Sequence, residues 1–305
     1  MAPLFSRVGF NKGFARRFVN KANPFSATGG TKTTSGIYTI HTFQVQNANP
    51  FGEPGTTYNT TFTWSGEPVP AGFASADILI VAGGGSGGNA YPPRSETPDG
   101  GHYGGGGGAG GYTYIPGINL IPYGNTINVQ VGRGGKGYGY GGPENGDNSS
   151  FGPIISYGGG YGGNRGQGNS GGSGGGWGTY WQGGATNIDS GGSATRGNHP
   201  LSQGNPGGGA RNEGISNTGG GGGGAGSQGS FGQNYPNPPG GTSAGLSNSI
   251  SGSPITYCTG GPSGSNRTYD LHTGNGGSAG TTGQGGGTPF GNAGSPGIVV
   301  VRYIS

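Results

Sequence analysis

The chain has 305 residues, of which 84 are glycine, 27% are apolar and only 8% are charged. Glycine at this level is about four times its ordinary share, and the apolar residues left over are too few for a conventional oily core of this size. The single cysteine, Cys258, excludes an intrachain disulfide framework and any multi-cysteine metal site.

The net charge of +4 is unevenly placed, because six of the 14 basic residues lie in the first 32 positions, where there is no acid. The sequence pI of about 9.1 therefore belongs to an arm and not to a nucleic-acid-binding face, so no nucleic acid is expected as a partner. Within that arm, residues 1–25, Phe10, Phe14 and Phe18 are spaced four apart, which puts them on one side of a short helix. Gly9 and Gly13 weaken such a helix, and it needs a partner to form. Phe5, Phe10, Phe14 and Phe18, interleaved with Arg7, Arg16 and Arg17, suit docking onto another protein. A disordered basic tail is the competing reading. The segment Met1–Lys21 lacks the apolar stretch of a secretory signal, so synthesis in a cytoplasm is expected.

From residue 26 the pattern turns to β. Residues 37–43 and 57–64 alternate and are rich in β-branched and aromatic types. Residues 77–82 are continuously apolar, as in a strand buried on both faces. Residues 111–116 are another strand, and in 125–131 Ile127, Val129 and Val131 face one way while Asn128 and Gln130 face the other. Residues 297–304 form a last apolar strand at the very end of the sequence. No apolar run approaches the roughly 20 residues of a membrane helix, so no insertion into a membrane is expected. The strands before 132 and the one after 297 need each other to bury their faces. The expected fold is therefore all-β: a jelly-roll-like β-sandwich over 26–132, completed by 297–305, with a large glycine-rich insertion over 133–296.

The glycines cluster at 104–108, 158–160, 174–176, 207–209, 219–224 and 285–287, separated by turn-forming Asn, Ser and Pro. There is no Gly-X-Y register, which excludes collagen. The layout suits many short extended rods with polyproline-II geometry, packed so closely that backbone groups pair between rods.

The segments DILIVAGGG (77–85), GGGGGAGGYTYI (104–115), VQVGRGGKG (129–137), NSSFGPIISYGGG (148–160), GGGGGGAG (219–226) and GSPGIVVVRY (294–303) together resemble the glycine-rich domain of phage tail-fibre, adhesin and virion structural proteins. The resemblance implies a polyglycine bundle capping a β-domain, on the surface of a virion in its tail or fibre region. It also implies loops meeting a host surface glycan or outer-membrane protein, while residues 1–25, an arm in place of the family's shaft, are expected from their own aromatic and basic residues to anchor the chain to other virion proteins. The chain departs from the fibre pattern in having no long repetitive shaft. Homo-oligomerisation at a symmetric virion site is left open. A virion decoration protein without a receptor, and an ice-binding or cell-wall glycine-rich protein, are the alternatives.

No motif for catalysis stands up. Gly-x-Gly-x-x-Gly matches fall outside any βαβ unit, Gly132–Gly137 lacks the Lys-Ser/Thr of a phosphate loop, and the ten carboxylates are dispersed. The four histidines have no metal spacing, and no cofactor is expected. The constellation with chemical promise is aromatic: Tyr138, Tyr140, Trp177, Tyr180, Trp181, Phe231 and Tyr235 sit between glycine runs. Such rings give large contact area at low entropy cost, as in binding loops rich in Tyr, Ser and Gly. The competing reading has them capping the glycine rods.

Overall fold

A computed structural model describes residues 25–45, 55–66, 75–89, 104–137, 141–179, 186–188, 191–194, 202–213, 216–232, 240–264 and 293–304. The strands in the first half are β1 (Ser26–Thr28), β2 (Thr31–Ser35), β3 (Tyr38–Gln44), β4 (Tyr58–Ser65), β5 (Ser75–Val81), β6 (Tyr112–Asn119) and β7 (Thr126–Val131). They are followed by β8 (Ser149–Phe151), β9 (Ile154–Ser156), β10 (Thr186–Ile188), β11 (Ser202–Gln203), β12 (Ala210–Glu213) and β13 (Ser216–Thr218). The last three are β14 (Leu246–Asn248), β15 (Ile255–Tyr257) and β16 (Ile298–Ile304). One 3₁₀ turn, Ile121–Tyr123, is the single helical element among the described residues.

Two antiparallel sheets form the body. The first has the order β1-β4-β7-β8-β9 and the second β11-β6-β5-β16-β3-β2. All six strands expected from alternation and apolar runs are present. β16 lies between β3 and β5: Val300 pairs with Thr42 on one side and Leu79 on the other. The end of the sequence thus supplies a central strand of the second sheet. The first sheet also draws β8 and β9 from the stretch beyond 132.

The apolar runs in β5 and β16 follow from burial on both faces. Ile78, Ile80, Val299, Val301 and Tyr303 face the first sheet and pack with Phe62, Trp64, Ile127, Val129 and Phe151. Leu79, Val81, Ile298 and Val300 face the other way and are covered by Ile250, Tyr257 and Cys258, with Leu246 and Ile255 alongside, from the β14–β15 hairpin. β7 alternates instead, because only Ile127, Val129 and Val131 are buried while Asn128 is exposed. One face of the first sheet meets solvent, as antiparallel sheets allow.

Beyond the sheets the glycine segments pair by backbone alone. In segment 104–111 the amides of Gly105, Gly108 and Gly111 donate to the carbonyls of Gly163, Gly160 and Tyr157 at 2.9, 2.8 and 2.8 Å. The carbonyls of Gly105, Gly108 and Gly111 accept from Gly88, Gly85 and Ala82 at 2.9, 2.9 and 3.1 Å. The amides of Gly106 and Ala109 reach Gly220 and Gly223, while their carbonyls take the amides of Gly176 and Ser173. The carbonyls of Gly104 and Gly107 accept from Gly264 and Gly261. One segment therefore has five neighbours, and each neighbour recurs every third residue. A sheet strand has two neighbours and a period of two.

This packing explains the glycine content sterically. A Cβ on Gly106 would overlap the Gly261 carbonyl, and one on Gly222 would overlap the Gly107 carbonyl. Positive φ is not the reason here. Among the described residues, glycines with positive φ include Gly36 in the β2–β3 turn and Gly117 at the register shift within β6, and none lies within 104–111.

Candidate functional site

The glycine lattice is a direct extension of the sheets. Gly111 runs into β6, Val81 into the segment beginning at Ala82, and Val131 into Gly132. Gly104 lies at the other end of its segment, farthest from the sheets. Several segments finish beside it: Gly264 donates to the Gly104 carbonyl at 3.0 Å, Gly220 donates to Trp177 at 2.9 Å, and Ser263 donates to Gly240 at 2.8 Å. Gly88 reaches Gly105 at 2.9 Å. Asn89, Gly104, Thr179, Gly240 and Gly264, described residues that border 90–103, 180–185, 233–239 and 265–292, therefore gather at this far end.

Two of the aromatic residues expected at a contact site are described, and both are held near this end. The Trp177 amide donates to Gly208 at 3.0 Å, and its side chain is half-buried. Phe231 is 42% exposed. Its neighbours Ser230 and Gly232 bond Gly221 and Gly209, at 2.9 and 3.0 Å. The segment around Gly208 thus fixes both backbones, through Gly208 to Trp177 and Gly209 to Gly232. Tyr138, Tyr140, Tyr180, Trp181 and Tyr235 lie outside the described residues, as do Phe5, Arg7, Phe10, Phe14, Arg16, Arg17 and Phe18 of the arm.

Polar groups that sequence patterns did not single out also mark this end. The Asn89 amide donates to Asn164 Oδ1 at 2.6 Å. Asn89 Oδ1 and Thr179 Oγ1 are buried without a hydrogen-bond partner. Lone Asn and Thr residues after glycine runs carry no sequence signal of such a role.

Elsewhere several charged and nucleophilic groups are occupied by structure. Arg133 bonds Glu144 at 3.2 Å and Asp147 at 3.1 Å, and Arg302 bonds Asp77 at 2.6 Å. His41 is buried between Phe62 and Tyr303. Its Nδ1 lies 2.7 Å from the Gly29 carbonyl, an obligate acceptor, so Nδ1 carries the proton and Nε2 accepts from the Tyr303 hydroxyl at 3.3 Å. Burial, opposed by the Gly29 hydrogen bond, holds the imidazole pKa below its ordinary value of 6.5. Cys258 is fully buried, and burial pushes its pKa up. A thiol so placed is unreactive. Among the described residues no three of His, Cys, Asp and Glu come together as metal ligands.

A comparison with curated proteins finds no match. A family model described as a glycine-rich domain, by contrast, aligns with residues 56–304. That span begins in the lead-in to β4 and closes on the last residue of β16, so it takes in most of both sheets together with the lattice between them. With sheets and lattice matched as one unit, the chain belongs to the glycine-rich domain family.

Proposed function

We propose that the protein is a structural component of a bacteriophage virion, tail- or fibre-associated, attached through residues 1–25 and presenting the far end of its glycine lattice to a host surface. The observation that carries this reading is the opposition of two poles. Phe25, where the arm joins the body, stacks on Trp64 at 5.6 Å and meets the edge of Tyr303 at 4.4 Å. Trp64 and Tyr303 lie near the ends of β4 and β16 remote from the lattice. Phe25 thus lies at one pole, and Thr179 and Gly232, the described residues that precede Tyr180, Trp181 and Tyr235 in sequence, lie at the other. A molecule that must attach to a particle and reach outward needs this arrangement.

The lattice itself we assign polyglycine-II geometry. Support comes from the three-residue recurrence of each neighbour, from the five neighbours of segment 104–111, and from steric exclusion of Cβ atoms. Such rods are stiff without a side-chain core, so the contact loops would be held on a rigid support. The ligand suited to Trp177, Phe231 and the neighbouring Asn and Thr groups is a host surface glycan, whose faces stack on rings and whose hydroxyls bond amides.

The test uses assembled particles. Removing residues 1–25 is expected to leave a folded protein that is absent from purified virions, whereas normal incorporation would refute the anchor. The double substitution Trp177→Ala and Phe231→Ala is expected to leave incorporation intact and to lower adsorption to host cells at least tenfold, about 1.4 kcal/mol. Unchanged adsorption would leave a virion part without a receptor.

A further inference from the structure

Two Asn-Gly pairs occur in the sequence, Asn145–Gly146 and Asn275–Gly276. The first lies among the described residues, half-buried in the glycine lattice, and the second lies outside them. Asn is a chemically labile residue, and a following glycine makes it more so, because no Cβ hinders approach of the next backbone nitrogen to the carboxamide. The Gly146 nitrogen, once it has lost its proton, can bond to Asn145 Cγ. The bond from Cγ to the side-chain nitrogen then breaks, ammonia leaves, and a five-membered succinimide ring joins the two residues. Water opens the ring at either carbonyl. The product is aspartate, or an isoaspartate whose main chain runs through the former side chain.

In the fold each group of that reaction is held in place. The Gly146 amide donates to the Gly159 carbonyl at 3.0 Å, so the proton that must leave is one bonded into the lattice. The Asn145 carboxamide is fixed at both of its ends. Its Oδ1 accepts from the Tyr161 amide at 3.0 Å and from Asn169 Nδ2 at 3.1 Å, and its Nδ2 donates to the Ser170 carbonyl at 3.3 Å. On the other side of Gly146, the Asp147 amide donates to Arg133 at 2.9 Å and the Asp147 carbonyl accepts from Gly83 at 3.0 Å. Closing the ring requires the carboxamide to turn and the Gly146 nitrogen to leave Gly159.

We infer that Asn145 is a latent deamidation site that the folded lattice keeps from reacting, and that reaction there bars this part of the lattice from re-forming. In the aspartate product, the oxygen that replaces Nδ2 faces the Ser170 carbonyl, acceptor against acceptor. In the isoaspartate product the main chain gains one carbon ahead of Gly146, which moves Gly146 and Asp147 off Gly159 and Gly83. The packing has no slack to absorb the shift, since even a Cβ on Gly158 would overlap the Gly146 carbonyl. Opening of this segment is thereby recorded and made irreversible. This holds whatever the protein attaches to.

Ageing the intact protein at mildly alkaline pH, with peptide mapping by mass spectrometry, tests it. Conversion at Asn145 should be at least about tenfold slower in the folded protein than in the same chain unfolded in guanidinium chloride. Gly158→Ala, whose Cβ pushes on the Gly146 carbonyl, should speed conversion while the amides of Leu79 and Val300 stay protected from exchange. Should that variant unfold the sheets as well, Asn169→Ala, which removes one exposed partner of the carboxamide, takes its place with the same expectation. Asn145→Asp should keep the strands protected and let the amides of Gly146 and Gly159 exchange fast. Equal conversion in folded and unfolded wild-type protein would overturn the inference. So would conversion at the wild-type folded rate in the loosened variant, or slow exchange of Gly146 in Asn145→Asp.

Discussion

Glycine at a given position has one of two jobs, and the structure separates them. Gly222 is excluded from bearing a side chain by the Gly107 carbonyl, whereas a Cβ on Gly166 meets nothing within 4 Å. Gly222→Ala should lower stability by more than about 3 kcal/mol, because backbone cannot give way as a flexible side chain does. Gly166→Ala should stay within about 0.5 kcal/mol. Thermal melts of the two variants check the contrast, and equal melting temperatures would refute close packing at Gly222. His41 gives a pH prediction. Its folded pKa is depressed below 6.5, so in the window below about 6.5 the unfolded chain binds a proton that the folded chain refuses. Stability should be level above that pH and fall as pH drops towards the folded pKa. Urea midpoints at pH 7.5 and 5.5 should differ less in His41→Gln than in the wild type.

At the scale of elements, what was legible in the sequence is what alternation and apolar runs encode. β5 and β16 stand out because both faces are buried, and β7 stands out because only one is. β2, with the sequence TKTTS and almost wholly exposed, carries no such signal, since an edge strand buries nothing. β8, β9 and the β14–β15 hairpin are three residues per strand, too short for a period to show. The placement of the last strand was also legible, since a lone apolar strand after a polar, glycine-rich stretch must return to earlier partners. Its importance is testable: Val300, wholly buried between β3 and β5, replaced by Asp should leave the chain without a cooperative melt. A native-like transition in Val300→Asp would show that β16 is dispensable. For the candidate site, sequence picked out Trp177 and Phe231 by their setting between glycine runs. It missed Asn89 and Thr179, whose burial depends on neighbours distant in sequence.

For the whole molecule, the organisation is a pair of antiparallel sheets continued by a lattice of glycine segments that share no side-chain core. Glycine has the largest backbone entropy to lose on ordering, so each segment needs several hydrogen-bonded neighbours and fixed ends. Both are present: segment 104–111 has five neighbours, and the chain enters the lattice from β5 and returns through Gly297 to β16. Stiffness between the two poles follows from this, and the proposed separation of an attachment end from a contact end depends on it. Amide hydrogen exchange of the intact protein tests the ordered lattice most directly. The amides of Gly105, Gly106, Gly108 and Gly222, all bonded between segments, should exchange as slowly as those of Leu79 and Val300 in the central strands. Exchange of these glycine amides at the rate of an unstructured chain, with the strands still protected, would contradict the account.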